Sequence, residues 1–325
     1  MNARSIIYNE DCIAGMAARV PDNAIHLTVT SIPFEELFTY SGKLEDVGNN
    51  GSTVDIRAGR FALNMRFVVE QLFRVTAVGC NVCIHIQQLL AYKNQHGFMG
   101  RRDFRGAMID VFTARSPGKD DGFNFVGEVV IPKDPQQMAQ RLNLHSLQFK
   151  TGYGRDSNNL APAINDYVLI FQKPGEAIVP VRCLRHATNP NGWLTTEDWI
   201  KWASGVWDDI LQIDTLDGYR SARESDQEKH VCPLQLELIR RFVMLYTNPI
   251  SIQPDVTVLD PFMGIGSTAY ISLGGPTQQN ETVNEQRNTI GFELKESYHS
   301  QAIKNCDKAR GLVRAQQRQN QPLFA

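Results

Sequence analysis

One segment near the end of the chain limits the fold more than any other. Residues 258–270 read VLDPFMGIGSTAY: an apolar stretch ends in Asp260, a turn containing Gly264 and Gly266 follows, and a helix-forming stretch begins at Ser267. Glycine lets the backbone approach a ligand closely, and open α/β sheets bind nucleotides at the carboxyl ends of their strands. The segment favours a nucleotide-binding α/β fold, and a purely structural turn is the alternative explanation of the glycines.

Two common kinds of nucleotide site do not match this segment. It lacks the GK[ST] sequence of a phosphate-binding P-loop and the glycine spacing of a dinucleotide fingerprint. No dinucleotide fingerprint follows an early strand either, so a nicotinamide dehydrogenase is not favoured.

The remainder of the chain alternates strand and helix patterns. Apolar runs predict strands at residues 25–29, 81–86, 125–131, 167–171, 257–260 and 289–293. Apolar periodicity and capping signals predict helices at residues 61–78, 195–202, 233–245 and 295–309, and one from residue 267. Turn-forming residues predict loops at 41–52, 115–124, 151–165 and 214–230, and a mobile polar connection at 274–287. This alternation predicts a mixed, mostly parallel sheet with helices on both faces.

The overall charge does not by itself indicate a nucleic-acid partner. The 325 residues carry a formal net charge of −2, and 42% of them are hydrophobic, which suits one large α/β domain with insertions. A neutral total can conceal a basic cleft, although each cluster taken alone is more typical of a solvated surface. The basic clusters are Arg101, Arg102 and Arg105; Arg182, Arg185 and His186; and Arg310, Arg314 and Arg318.

The cysteines and apolar runs bear on location. No secretory signal and no membrane-length apolar run is evident, so we expect a cytoplasmic protein with six reduced thiols and no membrane partner. Cys80 and Cys83 form a CxxC pair, but no second pair stands at zinc spacing. A buried strand explains the pair better, and no metal site is predicted.

Two further motifs end in side chains suited to a nucleoside or a base. Residues 288–298, NTIGFELKESY, form a strand that ends in Glu293, where an acid can hold ribose hydroxyls; a helix cap is the alternative. Residues 27–42, LTVTSIPFEELFTYSG, carry a buried strand into Ser31-Ile32-Pro33-Phe34. Such a proline-stiffened turn can present carbonyls and a flat aromatic face to a base, and a plain strand-ending turn is the alternative.

Together these motifs resemble those of the DNA amino-methyltransferases, the adenine-N6 and cytosine-N4 enzymes. The opening IYNEDCIAGM, the middle stretch YVLIFQKPG and the stretch KHVCPLQLELIRRFV are similar to this family as well. The catalytic motif precedes the cofactor motif, which is the family's β-group order. The resemblance implies S-adenosylmethionine as cofactor, flipping of the target base, double-stranded DNA as partner and a homodimer as one assembly to test.

The resemblance also implies roles for individual residues. Ser31 and the carbonyl of Ile32 would accept hydrogen bonds from the target amino group, Pro33 would stiffen the turn, and Phe34 would stack on the flipped base. Glu293 would hold the ribose of the cofactor, Asp11 would lie near its adenine, and Pro233 would precede a helix packing on its methionine end. The remaining pocket residues would be Asp260, Pro261, Phe262, Gly264 and Gly266.

The chain departs from the family pattern in three places. Ile32 replaces the first proline of the catalytic motif, which leaves an extra N–H and a less rigid turn. Glu10 stands where a glycine usually precedes the acid, and residues 274–287 lengthen a connection that is usually tight. None of these removes a group that the chemistry needs, but Ile32 keeps open a catalytically weak relative that only binds S-adenosylmethionine or DNA.

The chain divides, on this interpretation, into a catalytic half at 1–88, a DNA-recognition insertion at 89–165 and a cofactor-binding half at 166–325. The loop at 41–52 would close over the flipped base. Cys232 precedes Pro233 instead of following a proline, which argues against a carbon-5 cytosine enzyme. The serine of the motif slightly favours cytosine-N4 over adenine-N6.

Alternatives of substrate and biological setting stay open. An RNA or small-molecule methyltransferase is one alternative, although the long, arginine-bearing middle of the chain favours DNA. A bacterial or phage-encoded enzyme is expected, either within a restriction–modification system or standing alone.

Overall fold

The computed structural model describes residues 2–34, 47, 55–142, 156–218, 222, 233–281 and 285–319. The strands in these ranges are β1 (Ser5–Tyr8), β2 (Ile25–Ser31), β3 (Thr76–Gln87), β4 (Leu89–Ala91), β5 (Gly100–Arg102), β6 (Asn124–Ile131), β7 (Asp166–Gln172), β8 (Thr257–Asp260) and β9 (Asn288–Phe292). The helices are α1 (Cys12–Arg19), α2 (Arg60–Val75), α3 (Lys93–His96), α4 (Phe104–Thr113), α5 (Pro135–Leu142), α6 (Thr196–Trp202), α7 (Leu236–Tyr246), α8 (Ser267–Ser272) and α9 (Glu296–Gln319).

Seven strands form one sheet in the order β1-β9-β8-β2-β3-β7-β6, and β4 pairs with β5 in a separate hairpin. Strands β1, β9, β8, β2 and β3 are parallel, whereas β7 runs antiparallel to β3 and β6 antiparallel to β7. The carboxyl ends of the parallel strands therefore share one edge with the amino end of β7 and the carboxyl end of β6. The predicted mixed, mostly parallel sheet is confirmed.

Alternating side chains of the sheet fill two separate cores, which places helices on both faces. On β3, Val82 and Ile84 point to one core and Cys83 points to the other. The first core also takes Met16 of α1, Phe61 of α2 and Phe104 of α4. The second takes Leu238 and Phe242 of α7, Ala269 of α8 and Ala302 of α9. Each large apolar side chain buried in this way contributes roughly 1.5–3 kcal/mol.

Several predicted boundaries are wrong. Helix α2 ends at Val75 and not at residue 78, because Thr76 already pairs with Ile25 of the neighbouring strand. The helix predicted from residue 233 begins at Leu236, since Gln235, its N-cap, has extended backbone. The last helix continues to Gln319, well beyond the predicted end at residue 309.

Parts of the connection at 274–287 are packed where the structure describes it, and its mobility stays a prediction. The buried Thr277 hydroxyl donates to Glu237, and the N–H of Gln278 donates to Asp214. The Arg287 side chain is only 1% exposed and donates to Thr247. Buried polar partners thus anchor both ends of this long connection.

Two sequence predictions, the loop at 41–52 and the three-part division of the chain, involve residues that the structure describes only in part. Of the loop at 41–52, only Val47 lies within the described residues. Residues 89–165 supply β6 to the main sheet and Phe104, Ala107 and Phe112 to its core. The three-part division of the chain therefore stays a prediction, and the middle segment is not wholly separate from the main sheet and its core.

No described helix combines the length and the apolar character that crossing a membrane would require.

Candidate active site

The turn after β8 begins at a buried carboxylate. Oδ1 of Asp260 accepts a hydrogen bond of 2.6 Å from the hydroxyl of Thr30 and one of 3.0 Å from the N–H of Phe262. Burial raises the pKa of Asp260 to about 6, and the hydrogen bonds from Thr30, Thr268 and Phe262 oppose that rise. Because Thr30 belongs to β2, this carboxylate ties the glycine turn directly to the neighbouring strand.

The two glycines of this turn have different surroundings. Both take left-handed backbone, with φ of +54° at Gly264 and +91° at Gly266. A Cβ on Gly266 would lie 3.0 Å from the backbone of Ala302 in α9, whereas a Cβ on Gly264 would meet nothing within 4 Å. Gly266 therefore permits close helix packing, and Gly264 borders open space at the edge of the sheet.

Glu293 follows β9 and faces this turn. One carboxylate oxygen accepts from the N–H of Gly264 at 2.8 Å, and the other accepts from the N–H of Lys295 at 2.8 Å. Its own backbone N–H donates to the carbonyl of Tyr8 in β1 at 3.0 Å. These bonds hold a half-buried carboxylate beside Gly264, at the position where the sequence predicted an acid.

Asp11 lies close to the same carboxylate. It caps α1 by accepting from the N–H of Ala14 at 2.8 Å. Burial raises the pKa of the Cys12 thiol, and the charges of Asp11 and then Glu293 raise it further, so both acids lie within electrostatic range of Cys12. Asp11, Glu293 and Gly264 thus gather at one part of the sheet edge.

Other residues predicted for this pocket are buried or pack on the core next to it. Pro261 and Met263 of the turn are buried, while the ring of Phe262 is half-buried and packs on the core. Pro233 precedes α7 and lies outside the helix.

The motif Ser31-Ile32-Pro33-Phe34 follows Thr30 directly at the end of β2. Ser31 is half-buried, and Pro33 is buried. Ile32 is only 2% exposed and belongs to the core beneath the sheet, so the side chain that replaces the family's proline is fixed by packing. The half-buried ring of Phe34 lies 6.1 Å from the His85 ring and meets Phe104 edge-on at 6.2 Å.

Sequence reasoning missed three residues behind Ser31. Nδ1 of His85 lies 3.0 Å from Oγ of Ser31, and Nε2 of His85 lies 3.0 Å from Asp166. The Lys133 amine lies 2.5 Å from the same Asp166 oxygen. The only sequence signal was polarity within buried strands, at His85 in CIHIQ and at Asp166 before YVLIF.

Some arginines of the basic clusters make contacts within the protein, and others are exposed. Arg102 is buried and donates to the carbonyl of Leu90, and Arg105 pairs with Glu128. Arg101 donates to the carbonyl of Pro162, and Arg310 pairs with Asp307. The exposed members are Arg101, Arg182, Arg185, His186, Arg314 and Arg318.

The CxxC pair lies in β3, and burial raises the pKa of Cys80 to about 11. Among the residues that the structure describes, no group of three or more His, Cys, Asp or Glu side chains is arranged to hold a metal ion.

Comparison with known proteins gives consistent matches. A family model described as DNA methylase, covering the N6 and N4 enzymes, matches residues 25–304. The type II methyltransferase M.BglI of Bacillus subtilis is 31% identical over 143 residues, which are 44% of this chain and 30% of that protein. The matched part therefore spans less than a third of this relative's length.

Two solved structures share the fold over nearly the whole chain. A putative DNA modification methylase from Thermus thermophilus, complexed with S-adenosyl-L-methionine, has a TM-score of 0.57 at 19% identity and covers 95% of this chain and 94% of its own. The cytosine-N4-specific PvuII DNA methyltransferase has a TM-score of 0.56 at 16% identity, with coverages of 97% and 93%. At these identities the likeness shows the fold alone, and the predicted fold class is confirmed.

Proposed function

The chain belongs to the N6/N4 DNA methylase family, as its motifs predicted, and we propose that it transfers a methyl group from S-adenosylmethionine to the exocyclic amino group of a flipped base in double-stranded DNA. One observation carries this proposal. Thr30, the residue before the Ser31 motif, donates its hydroxyl hydrogen to Asp260, the residue that begins the glycine turn. This buried hydrogen bond thereby connects the motif proposed to bind the base with the turn proposed to bind the cofactor.

The cofactor-side residues fit S-adenosylmethionine. The open space at Gly264 admits a ligand close to the backbone, and Glu293 holds a carboxylate beside it for the ribose hydroxyls. Asp11 stands near Glu293, on the side proposed for the adenine ring. The pocket would be completed by Asp260, Pro261, Phe262 and Gly266. The cofactor supplies a methyl group already activated by its sulfonium sulfur.

The base-side residues act on the nucleophile. An exocyclic amine is a poor nucleophile because its lone pair is delocalised into the ring. Oγ of Ser31 and the carbonyl of Ile32 would accept its two hydrogens and draw the nitrogen toward tetrahedral geometry, with Pro33 holding the turn. Phe34 would stack on the base, and in-line placement toward the methyl group would supply much of the remaining acceleration.

DNA recognition falls to the middle of the chain. Extruding the base costs a few kcal/mol, which apolar wedges inserted between base steps can help to offset. The hairpin of β4, α3 and β5 follows β3 directly and exposes Tyr92, Phe98 and Met99, the last at 66%. We assign this hairpin, next to His85 along the chain, to duplex contact. The motif serine favours cytosine-N4 as the target, and a DNA substrate implies a cytoplasmic enzyme.

The test is direct identification of the product. Purified protein is incubated with unmethylated duplex DNA and methyl-labelled S-adenosylmethionine, with RNA and free nucleosides as parallel substrates, and the digested nucleosides are identified by mass spectrometry. We expect N4-methylcytosine or N6-methyladenine from DNA only, formed at least about 100-fold more slowly by the Ser31→Ala variant. Cofactor binding without any methylated nucleoside would instead support a non-catalytic relative. Product from RNA or free nucleosides would support an RNA or a small-molecule methyltransferase.

A further inference from the structure

A continuous line of polar side chains leads from Ser31 into the sheet. Ser31 ends β2, His85 lies opposite it in register on β3, Asp166 begins β7, and Lys133 follows β6. The distances along this line are 3.0 Å from Ser31 to His85, 3.0 Å from His85 to Asp166, and 2.5 Å from Asp166 to Lys133. The side chains of His85, Asp166 and Lys133 are all 10% exposed or less. Four separate parts of the sequence thus meet in a water-poor site.

The surroundings of Asp166 keep it ionised. Burial alone would raise the pKa of Asp166, but His85 and Lys133 outweigh burial and the pKa of this carboxyl lies below its usual value. Gln87 donates to its other oxygen at 3.0 Å. An ionised carboxylate is therefore fixed on the far side of the imidazole from Ser31.

This carboxylate decides which ring nitrogen carries the proton. Nε2 lies within 3.0 Å of Asp166 but not in line with it, so the contact is an ion-pair approach and not a well-aligned hydrogen bond. A negative charge there still favours the proton on Nε2. Nδ1 is then left as an acceptor that faces the hydroxyl of Ser31.

Building on the proposed function, we infer that His85 is the proton acceptor behind Ser31. As the amine nitrogen bonds to the methyl carbon, the carbon–sulfur bond breaks with its electron pair going to sulfur. The nitrogen then gives a proton to Oγ of Ser31 while the Ser31 hydroxyl passes its own proton to Nδ1 of His85. The imidazolium formed faces Asp166, and its proton leaves to water after the product departs.

The groups around His85 carry one charge of each sign. Asp166 faces the imidazole, and Lys133 offsets the charge of Asp166. Phe34 covers another side of the ring and contributes no charge. A proton that His85 takes up during transfer therefore adds one net positive charge to the buried site.

The first test is the variant His85→Asn. The amide oxygen of asparagine reaches roughly the place of Nδ1 and can accept from Ser31, but it does not take a proton at neutral pH. We expect the single-turnover rate of methyl transfer to fall about 100-fold, as for loss of general base catalysis. We also expect the rise of this rate with pH in the wild type to be absent from the variant, while affinity for S-adenosylmethionine is kept.

His26→Asn is the matched control. His26 lies on β2 as well, at the opposite end, where its Nδ1 accepts from the N–H of Thr257. We expect this variant to keep the wild-type rate and pH profile. Should His85→Asn not fold, as judged by cofactor binding, Asp166→Asn takes its place. We expect about tenfold slower transfer there, with a displaced pH profile.

A second readout does not depend on turnover. Nitrogen-15 NMR of labelled histidine should find His85 with its proton on Nε2 and none on Nδ1. A proton on Nδ1, or an unchanged rate and pH profile in His85→Asn, would overturn the inference while leaving the proposed function intact. If the wild type methylates no DNA base, the proposed function fails and this inference fails with it.

Discussion

The turn at Gly264 follows β8, and Ser31 ends the neighbouring strand β2, yet the two depend on different parts of the polypeptide. The proposed cofactor side uses backbone geometry: two left-handed glycines and an acid that accepts from a main-chain N–H. The base side uses side chains, because Ser31 is backed by His85 and then by Asp166.

The difference explains what each side tolerates. Backbone geometry is lost when a single Cβ is added, whereas a polar chain is lost when one of its charges or lone pairs is removed. The replacement of proline by Ile32 affects the base side, where its buried side chain keeps the turn anchored. Substitutions on the proposed cofactor side should therefore lower cofactor affinity, and substitutions on the proposed base side should lower the rate of methyl transfer. Asp260 connects the two sides.

The largest effect is expected from Asp260→Asn, which keeps the hydrogen bonds of that link and tests the buried charge on it. The pKa of Asp260 is raised to about 6, above its unfolded value, so the native state binds the proton more tightly and ionisation destabilises the fold. As pH rises from about 4 to about 7, wild-type stability should fall relative to the variant by on the order of 3 kcal/mol. Asparagine retains an oxygen for Thr30 and Phe262 and does not titrate.

Urea unfolding across this pH range measures the difference. Asp208→Asn, which changes an exposed carboxylate, is the control, and its stability should follow that of the wild type. Parallel curves for the wild type and Asp260→Asn would mean that burial does not raise the pKa of Asp260.

The next effect separates the two glycines of the turn. Gly266→Ala should lower the free energy of unfolding by about 2 kcal/mol or more, because left-handed strain is joined by contact with the Ala302 backbone. Gly264→Ala should cost only about 1 kcal/mol, from left-handed strain alone. Its added Cβ enters the proposed cofactor space, so affinity for S-adenosylmethionine should fall tenfold or more, by roughly 1.4 kcal/mol.

Thermal unfolding and calorimetric titration on the same samples give both quantities. Gly118→Ala is the control for strain, since Gly118 also has positive φ, +74°, and open surroundings, but lies in another loop. An unchanged cofactor affinity in Gly264→Ala would place the ligand elsewhere.

A smaller effect is expected from Glu293→Gln. The amide has one oxygen, which can accept from the N–H of Gly264 or of Lys295 but not from both, and it loses the charge that strengthens hydrogen bonds to ribose hydroxyls. Affinity for S-adenosylmethionine should fall several-fold, by about 1 kcal/mol, and the free energy of unfolding should also fall by about 1 kcal/mol. Competition with adenosine gives a second readout. If Glu293 binds the ribose hydroxyls, the affinity for adenosine should fall by the same factor as the affinity for S-adenosylmethionine.

The smallest effect concerns the hairpin. Met99→Ala should weaken duplex DNA binding by about two- to fivefold, through loss of an exposed apolar contact, and leave cofactor affinity unchanged. Fluorescence anisotropy with a labelled duplex measures the binding, and Ile178→Ala, at a more exposed apolar residue, is the control. Equal weakening of DNA binding in both variants would contradict the assignment of the hairpin to DNA contact.

The residues of the proposed cofactor side were easier to predict from the sequence than the side chains behind Ser31. Asp260, Gly264, Gly266 and Glu293 stand at the ends of short strands, where local residue order alone indicates a site. His85 and Asp166 look like ordinary interruptions of buried strands until the antiparallel pairing of β7 with β3 brings them together. Long-range pairing of this kind leaves no local signal.

Some elements were missed for local reasons. Helix α2 passes into β3 at Thr76 without a glycine or proline to mark the change. Helix α4 went unrecognised inside the arginine-bearing middle segment, although Asp103 caps it and offered a readable start signal. Strand β1 has only four residues, too few for a clear pattern.

The separation of the two sides is tested most directly by Ser31→Ala, with cofactor affinity and single-turnover methyl transfer to DNA measured on the same preparation. We expect affinity for S-adenosylmethionine to stay within about twofold of wild type while the transfer rate falls at least about 100-fold, the loss typical of removing one preorganised hydrogen-bonding partner of the transition state. Near-wild-type transfer, or loss of cofactor binding together with transfer, would contradict the account.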